Sequence, residues 1–192
     1  MQLSARFEEA CVFALRLHRA QWRKGGDTPY AAHLLAVASI VLENGGNEDE
    51  AIAALLHDAI EDQGGEVTRV EIRRRFGENV VEIVDGCTDA DEYPKPPWRA
   101  RKEDHIAHIA HASPSVRLVV AADKLHNARA VLSDYRVLGD ALWRRFVGGK
   151  DGTLWYYRAM TNALCARGSS PLLEELQRVV TEIERLANST TV

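Results

Sequence analysis

The chain has 192 residues, of which 46% are apolar and 27% are charged, so it is long enough to bury a substantial core. Its formal net charge of −4 argues against a nucleic-acid-binding protein, although a small anionic ligand remains compatible. Cys11, Cys87 and Cys165 are widely spaced and predict reduced, mostly buried thiols. Because no apolar run approaches a membrane span and the N-terminus is charged, we expect a cytoplasmic protein.

Apolar residues recur with a helical period through most of the chain, and no stretch alternates as a strand does. Thr68 and Glu71 have the spacing of a capping box for a short basic helix that stops at Gly77. The pattern therefore predicts an all-α fold in one domain spanning residues 1–192. In chain order the other predicted helices are 3–22, 30–44, 47–63, 78–87, 98–112, 114 to about 132 or 135, 153–166 and 171–187.

Four polar residues interrupt an apolar helical stretch at residues 53–62: His57, Asp58, Glu61 and Asp62. Buried charged groups are tolerated when they are paired or bind a metal. In a continuous helix the four-residue spacing stacks His57 over Glu61 and Asp58 over Asp62, so all four side chains project into one wedge. An imidazole beside a carboxylate can chelate a divalent ion, while a second carboxylate pair can handle water and protons.

Two further polar residues lie in apolar helices, His33 in the second and Asp123 in the run that follows Val116. Together with His57 and Asp58 they form a ligand set of two imidazoles and two carboxylates, which suits Mn²⁺, Fe²⁺, Zn²⁺ or Co²⁺ and leaves positions for water. A single buried histidine is more often a hydrogen-bonded core residue, but the adjacent carboxylates favour a metal-dependent hydrolytic centre.

Several short motifs occur in a fixed order between about residues 14 and 130. They are Arg23-Lys24 before Pro29-Tyr30, His33, His57-Asp58 with Glu61-Asp62, Phe76-Gly77, Val84-Asp85-Gly86 and Asp123-Lys124-Leu125-His126-Asn127. This order resembles the HD-domain metal-dependent phosphohydrolases, and in particular the hydrolase domain of the RelA/SpoT homologues and the stand-alone small alarmone hydrolases. The resemblance implies an HD-domain helical bundle, completed by C-terminal helices at about 140–188.

The resemblance also implies a role for each matching residue. The metal ligands for Mn²⁺ would be His33, His57, Asp58 and Asp123. The attacking water would be positioned and deprotonated by Glu61 and Asp62. The substrate would be bound by Arg23 and Lys24, near its phosphates and base, and by Asn127, at the ribose or phosphate side. The implied activity is removal of the 3′-pyrophosphate from (p)ppGpp, which yields GDP or GTP and pyrophosphate.

Two other functions fit the same residues. The metal centre could act on another nucleotide, such as ppApp, the 2′-phosphate of NADPH or a nucleoside monophosphate. A non-catalytic nucleotide-binding or antitoxin-like module could keep the fold, but such a binder does not need the water-activating pair Glu61 and Asp62.

The remaining polar features are interpreted as structural. Residues 89–97 form the longest loop, which we interpret as a solvated connection rather than a lid. Packing and solvation account for Arg145, Lys150 and Tyr156 without a role in binding phosphate or base. The spaced series His105, His108 and His111 is interpreted as a mainly solvated stripe.

Overall fold

A computed structural model describes residues 2–89, 94 and 96–189. Within these residues the regular structure is helical, apart from one isolated bridge between Trp22 and Pro29, so the predicted all-α class is confirmed. The helices are α1 (Ala5–Leu17), α2 (Ala31–Glu43), α3 (Glu48–Leu56), α4 (Ala59–Asp62), α5 (Glu66–Phe76), α6 (Glu78–Cys87), α7 (Trp98–His111), α8 (Pro114–Leu138), a 3₁₀ segment (Gly139–Arg145), α9 (Gly149–Cys165) and α10 (Pro171–Ser189).

Local sequence signals set several helix ends. Asn47 and Glu50 form a reciprocal capping box at the start of α3, with each side chain bound to the other residue's backbone N–H. Ser113 caps α8, and Pro114 fills its first position. The capping box predicted at Thr68 is wrong: α5 begins two residues earlier, and the Thr68 hydroxyl instead donates to the Gln63 carbonyl.

The long helix α8 is the element around which the others are arranged. It packs against α2, α3, α6, α9 and α10, and its buried face includes Val119, Ala122 and Leu125. Because α2 and α3 also pack against each other, the polar residues of three different helices can meet at one place in the core. None of the helices in the described part of the chain combines the length and apolar character that a bilayer crossing requires.

The predicted continuous helix over residues 47–63 is broken in the middle. Helix α3 ends at Leu56, and α4 begins at Ala59 after a turn in which Asp58 has φ −100° and ψ 0°. The predicted stacking of His57 over Glu61 and of Asp58 over Asp62 assumed a continuous helix, so that prediction is wrong in detail. One helical hydrogen bond continues across the turn, from the Asp62 N–H to the Asp58 carbonyl at 2.9 Å, and this bond keeps Asp58 and Asp62 on adjacent turns.

Candidate metal centre and active site

Four predicted ligands meet at the junction of α2, α3 and α8. The ligand atoms of His33, His57 and Asp58 lie within 4.8 Å of one another. The Asp123 Oδ1 atom lies 3.3 Å from His33 Nε2 and 3.7 Å from His57 Nε2. On the other side, Asp58 Oδ2 lies 3.0 Å from His57 Nε2 and 3.7 Å from His33 Nε2. Two imidazole nitrogens and two carboxylates therefore surround one point.

The two imidazoles present their Nε2 atoms to this point, and within the described residues neither atom makes a hydrogen bond of acceptable geometry, although both residues are buried. Their opposite nitrogens are bound: His57 Nδ1 donates to the Ala54 carbonyl at 2.8 Å, and His33 Nδ1 lies 2.8 Å from His126 Nδ1. A hydrogen bond at Nδ1 leaves the Nε2 lone pair available to a metal. Buried nitrogens without partners fit a divalent-metal site.

Charge at the centre is coupled. Burial lowers the pKa of His57, but Asp58 and Asp123 outweigh this effect and raise it well above its ordinary value. Burial alone would raise the pKa of the Asp58 and Asp123 carboxyls. The His57 charge nevertheless holds the pKa of Asp58 well below its usual range. Lys124, together with the two imidazoles, holds the pKa of Asp123 well below its usual range. A proton on His57 is what a divalent cation would displace, so metal binding should weaken at low pH.

The carboxylate pair Glu61 and Asp62 lies on α4, beside the ligand cluster. Gln21 Nε2 donates to Asp62 Oδ2 at 2.7 Å, and the side-chain oxygen Oε1 of Gln21 lies 2.6 Å from His18 Nδ1. Burial and the nearby Asp58 carboxylate raise the pKa of Asp62. Glu61 Oε1 lies 3.7 Å from the Arg101 guanidinium. The pair is thus held from both sides, and Asp62 has the basicity of a proton acceptor.

A chain of hydrogen bonds connects the loop after α1 to the metal centre. Arg23 Nη2 donates to Asn127 Oδ1 at 2.8 Å, and Asn127 Nδ2 donates to Asp123 Oδ1 at 2.5 Å. Lys124 Nζ contacts the other Asp123 oxygen at 2.6 Å. Asn127 therefore orients the candidate ligand Asp123. Asn127 and Lys24 also line the cleft.

A cleft of about 380 Å³ opens over the candidate ligands. Its walls include the predicted residues Lys24, His57, Asp58, Glu61, Asp62, Asp123 and Asn127. They also include residues to which the sequence had given no role: Gln21, Trp22, Tyr30, Cys87, Asp89, Lys102, His105, Val119, Val120, Lys124 and Tyr156. Carboxylates line the metal side, whereas Lys102, Lys124 and Lys24 supply positive charge for an anionic ligand.

The structure corrects part of the sequence interpretation. His105 does not belong to a solvated stripe: it is 4% exposed and lines the cleft, whereas His108 and His111 are exposed. Tyr156 also lines the cleft and is 8% exposed.

Arg145 and Lys150 both contact other parts of the fold. Arg145 forms an ion pair with Asp134 at 3.0 Å, and Lys150 Nζ donates to the Ala187 carbonyl at 2.6 Å. Residues 90–93 and 95 of the predicted connecting loop lie outside the described residues. The three cysteines are free, as predicted, although they are half-buried rather than fully buried.

Gly25 shows why the loop that carries Arg23 and Lys24 follows its path. Its φ of +79° lies in the left-handed region, and a Cβ added there would lie 2.4 Å from Arg145 Nε. The loop therefore lies directly against the Arg145 side chain, and the glycine permits this approach.

The helical bundle and its His/Asp cluster define a class of protein. The chain belongs to the HD domain family, whose model matches residues 10–145. It is 43% identical over 124 residues to the guanosine-3′,5′-bis(diphosphate) 3′-pyrophosphohydrolase MESH1 of Xenopus tropicalis, an alignment that covers 63% of this chain and 66% of that protein. The Homo sapiens protein of the same name is 40% identical over 129 residues, covering 66% and 69%.

A comparison of folds gives a related result. A solved structure described as a metazoan orthologue of SpoT that hydrolyses ppGpp and plays a role in starvation responses superposes with a TM-score of 0.79 at 26% identity. The superposition covers 95% of this chain and 97% of that one. The resemblance inferred from the motifs is therefore confirmed.

A divalent cation should stabilise the fold, since it binds the folded ligand cluster and not the unfolded chain. At a hundredfold excess over Kd the gain in free energy of unfolding is about 2.7 kcal/mol. For a chain of this size we expect the Tm to rise by about 5–10 °C. Scanning calorimetry with Mn²⁺, and after excess chelator, measures this; an unchanged Tm with every divalent ion tried would argue against a metal site.

His126 is expected to support the metal through His33. With its Nδ1 accepting from His33 Nδ1, it fixes the ring that presents Nε2, and burial followed by the His33 charge lowers the pKa of His126 to about 4, which keeps it neutral. His126→Ala should weaken metal affinity by about 10–100-fold, as the loss of such orienting partners does elsewhere. Competition with a chelating dye measures the affinity, and exposed His108→Ala is the matched control, which should leave it unchanged.

Proposed function

We propose that the protein is an Mn²⁺-dependent hydrolase that removes the 3′-pyrophosphate of (p)ppGpp, releasing pyrophosphate and GDP or GTP. One observation carries the proposal: two buried imidazole nitrogens, which make no hydrogen bond within residues 2–89, 94 and 96–189, face two carboxylates beside the Glu61-Asp62 pair. The proposed metal ligands are His33, His57, Asp58 and Asp123. Mn²⁺ is proposed because imidazole combined with carboxylate suits it, and the names of the relatives support the substrate.

A bound divalent ion would lower the pKa of a water molecule and offset charge on the reacting phosphoryl group. Asp62 is proposed to take the water proton, because Gln21 holds its carboxylate in place and its pKa is raised. Glu61 orients the same water from the neighbouring position. Attack of the water oxygen on the phosphorus atom next to the ribose forms a new P–O bond and breaks the bond to the 3′-oxygen. The 3′-oxygen leaves as the 3′-hydroxyl of GDP or GTP, taking up the proton that Asp62 accepted from water, and the phosphorus is released as part of pyrophosphate.

Arg23 and Lys24 are proposed to bind the nucleotide at the opening of the cleft. Arg23 lies 6.0 Å above the Tyr30 ring centroid and is bound to Asn127, so its guanidinium has a fixed plane on which a base can stack. Lys24 adds charge beside the phosphates. Asn127 connects this side to Asp123, so nucleotide binding and ligand geometry are coupled.

We further propose that residues 1–192 act as a single HD-type domain, with a family core at about 14–130. The helices at about 140–188 complete it, since α9 contributes Tyr156 to the cleft and α10 packs on α8. A reducing, cytoplasmic location fits the three free cysteines.

The proposal is tested on a panel of ppGpp, pppGpp, ppApp, NADPH and dGMP, with pyrophosphate and phosphate measured separately in Mn²⁺ and in chelator. We expect pyrophosphate from ppGpp and pppGpp, at a kcat/KM well above that for the other substrates. Orthophosphate from NADPH or dGMP alone would move the assignment to another nucleotide. Nucleotide binding without turnover in any metal would favour a binding module.

A further inference from the structure

One wall of the cleft has no task in the mechanism above. Lys102 and His105 on α7, Lys124 on α8 and Tyr156 on α9 line the cleft, and we name them the α7–α9 wall. The residues to which the mechanism gives a task lie in the loop after α1, on α2 and α4, in the turn between α3 and α4, and at Asp123 and Asn127 of α8. Four polar side chains on a buried surface need an explanation, because their desolvation is costly unless they are bound.

The two ammonium groups of the wall lie close to the same aromatic ring. Lys102 Nζ lies 4.8 Å and Lys124 Nζ 5.7 Å from the Tyr156 ring centroid. Carboxylates neutralise them only in part: Asp89 shares one oxygen between Lys102, at 2.5 Å, and Arg101, at 2.6 Å. Lys124 contacts one oxygen of Asp123, whose other oxygen faces the imidazoles. The wall therefore keeps a surplus of positive charge once a cation occupies the Asp123 side.

One polar atom of the wall, and one of the neighbouring cleft residue Asp89, make no hydrogen bond within the described residues. The Tyr156 hydroxyl is buried, and no group in the described part of the chain makes a hydrogen bond of acceptable geometry with it. Asp89 Oδ1 is also buried and makes no such hydrogen bond within the described residues. Burial, reinforced by Lys124, lowers the pKa of His105 to about 3, so this imidazole is neutral and can donate a hydrogen bond without adding charge.

We propose that the α7–α9 wall is a second anion subsite, which binds a phosphate group of the substrate other than the one attacked. Two ammonium groups, a phenolic hydroxyl and a neutral imidazole are the donors that phosphate oxygens accept. The inference rests on the proposed function in taking a nucleotide with several phosphates as substrate. Such a nucleotide offers two candidates: the terminal phosphate of the 3′-pyrophosphate and a 5′-phosphate.

Lys102→Gln and Tyr156→Phe test the subsite, with Arg99→Gln as the control. Arg99 lies on the same helix but packs over Trp155 instead of lining the cleft, so its replacement removes the same charge elsewhere. Tyr156→Phe removes only a buried hydroxyl and leaves every charge in place. We expect each wall variant to raise the KM for ppGpp about tenfold with kcat nearly unchanged, the pattern of lost uniform binding.

Guanosine 3′-diphosphate, which lacks a 5′-phosphate, separates the two sources. If the wall binds a 5′-phosphate, the KM increase disappears with this substrate; if it binds the leaving pyrophosphate, the increase persists. Calorimetry with GDP and with inorganic pyrophosphate on the metal-loaded protein measures binding at the subsite even if ppGpp is not turned over. Failure of the subsite can therefore be distinguished from failure of the proposed function. Affinities and KM values within twofold of those of the Arg99→Gln control in both wall variants would overturn the subsite.

Discussion

Replacing His57 with alanine is expected to remove the bound metal and to lower turnover of ppGpp by about a thousandfold or more. The reason is that several kcal/mol of charge stabilisation depends on the ion, and each 1.36 kcal/mol is a factor of ten in rate. His57 is buried, its Nδ1 is fixed on Ala54, and its Nε2 faces the centre. Truncation at His57 therefore removes one of the four proposed ligand atoms.

Metal content measured by mass spectrometry on the purified variant, together with initial rates, tests this expectation. His108→Ala is the control, because His108 is an exposed histidine away from the cleft and should leave metal content and rate unchanged. A His57→Ala protein that keeps a full equivalent of metal and its activity would contradict the ligand assignment.

Asp62→Asn is expected to lower kcat by about 10²–10⁴-fold while nucleotide and metal still bind. Asparagine has the same shape, and its Oδ1 can still accept the hydrogen bond from Gln21, but it cannot take a proton from water. Single-turnover rates measure the loss, and calorimetric titration with ppGpp measures the binding that remains. Asp27→Asn on the exposed loop after α1 is the matched control.

The same substitution should not destabilise the protein at neutral pH. The folded state raises the pKa of Asp62, so ionising this group costs stability, which is lost as pH rises from the unfolded pKa towards the folded one. Removing the charge therefore leaves Tm equal or higher at pH 7. The raised pKa also predicts that the acid limb of kcat/KM lies above the ordinary range for an aspartate. A variant that loses activity together with its Tm would point to a structural role instead.

The clustering of the four candidate ligands could be predicted from sequence because these residues violate a simple rule. His33, His57, Asp58 and Asp123 stand in apolar helical runs, where an unpaired polar group is costly, and the structure brings all four together. Their helices could be predicted individually, but their meeting depends on α2 and α3 both packing against α8, which no local pattern encodes.

Other parts of the site could not be predicted for identifiable physical reasons. The turn at His57-Asp58 carries neither glycine nor proline, so nothing local indicates that the helix ends at Leu56. His105 was misjudged because most residues of α7 are polar, and the burial of His105 and Ile109 on this helix depends on tertiary packing that the local pattern does not show. His126 was part of a motif, yet its contact with His33 joins residues 93 positions apart.

The most direct test of the central claim is the identity of the products formed from ppGpp. We predict that phosphorus NMR of the reaction in Mn²⁺ will show inorganic pyrophosphate and GDP in equal amounts, and that neither will form in excess chelator. Equal yields would mean that the bond to the ribose 3′-oxygen is the one cleaved at a metal centre. Orthophosphate as the first product, or pyrophosphate released at the same rate in chelator, would contradict the account.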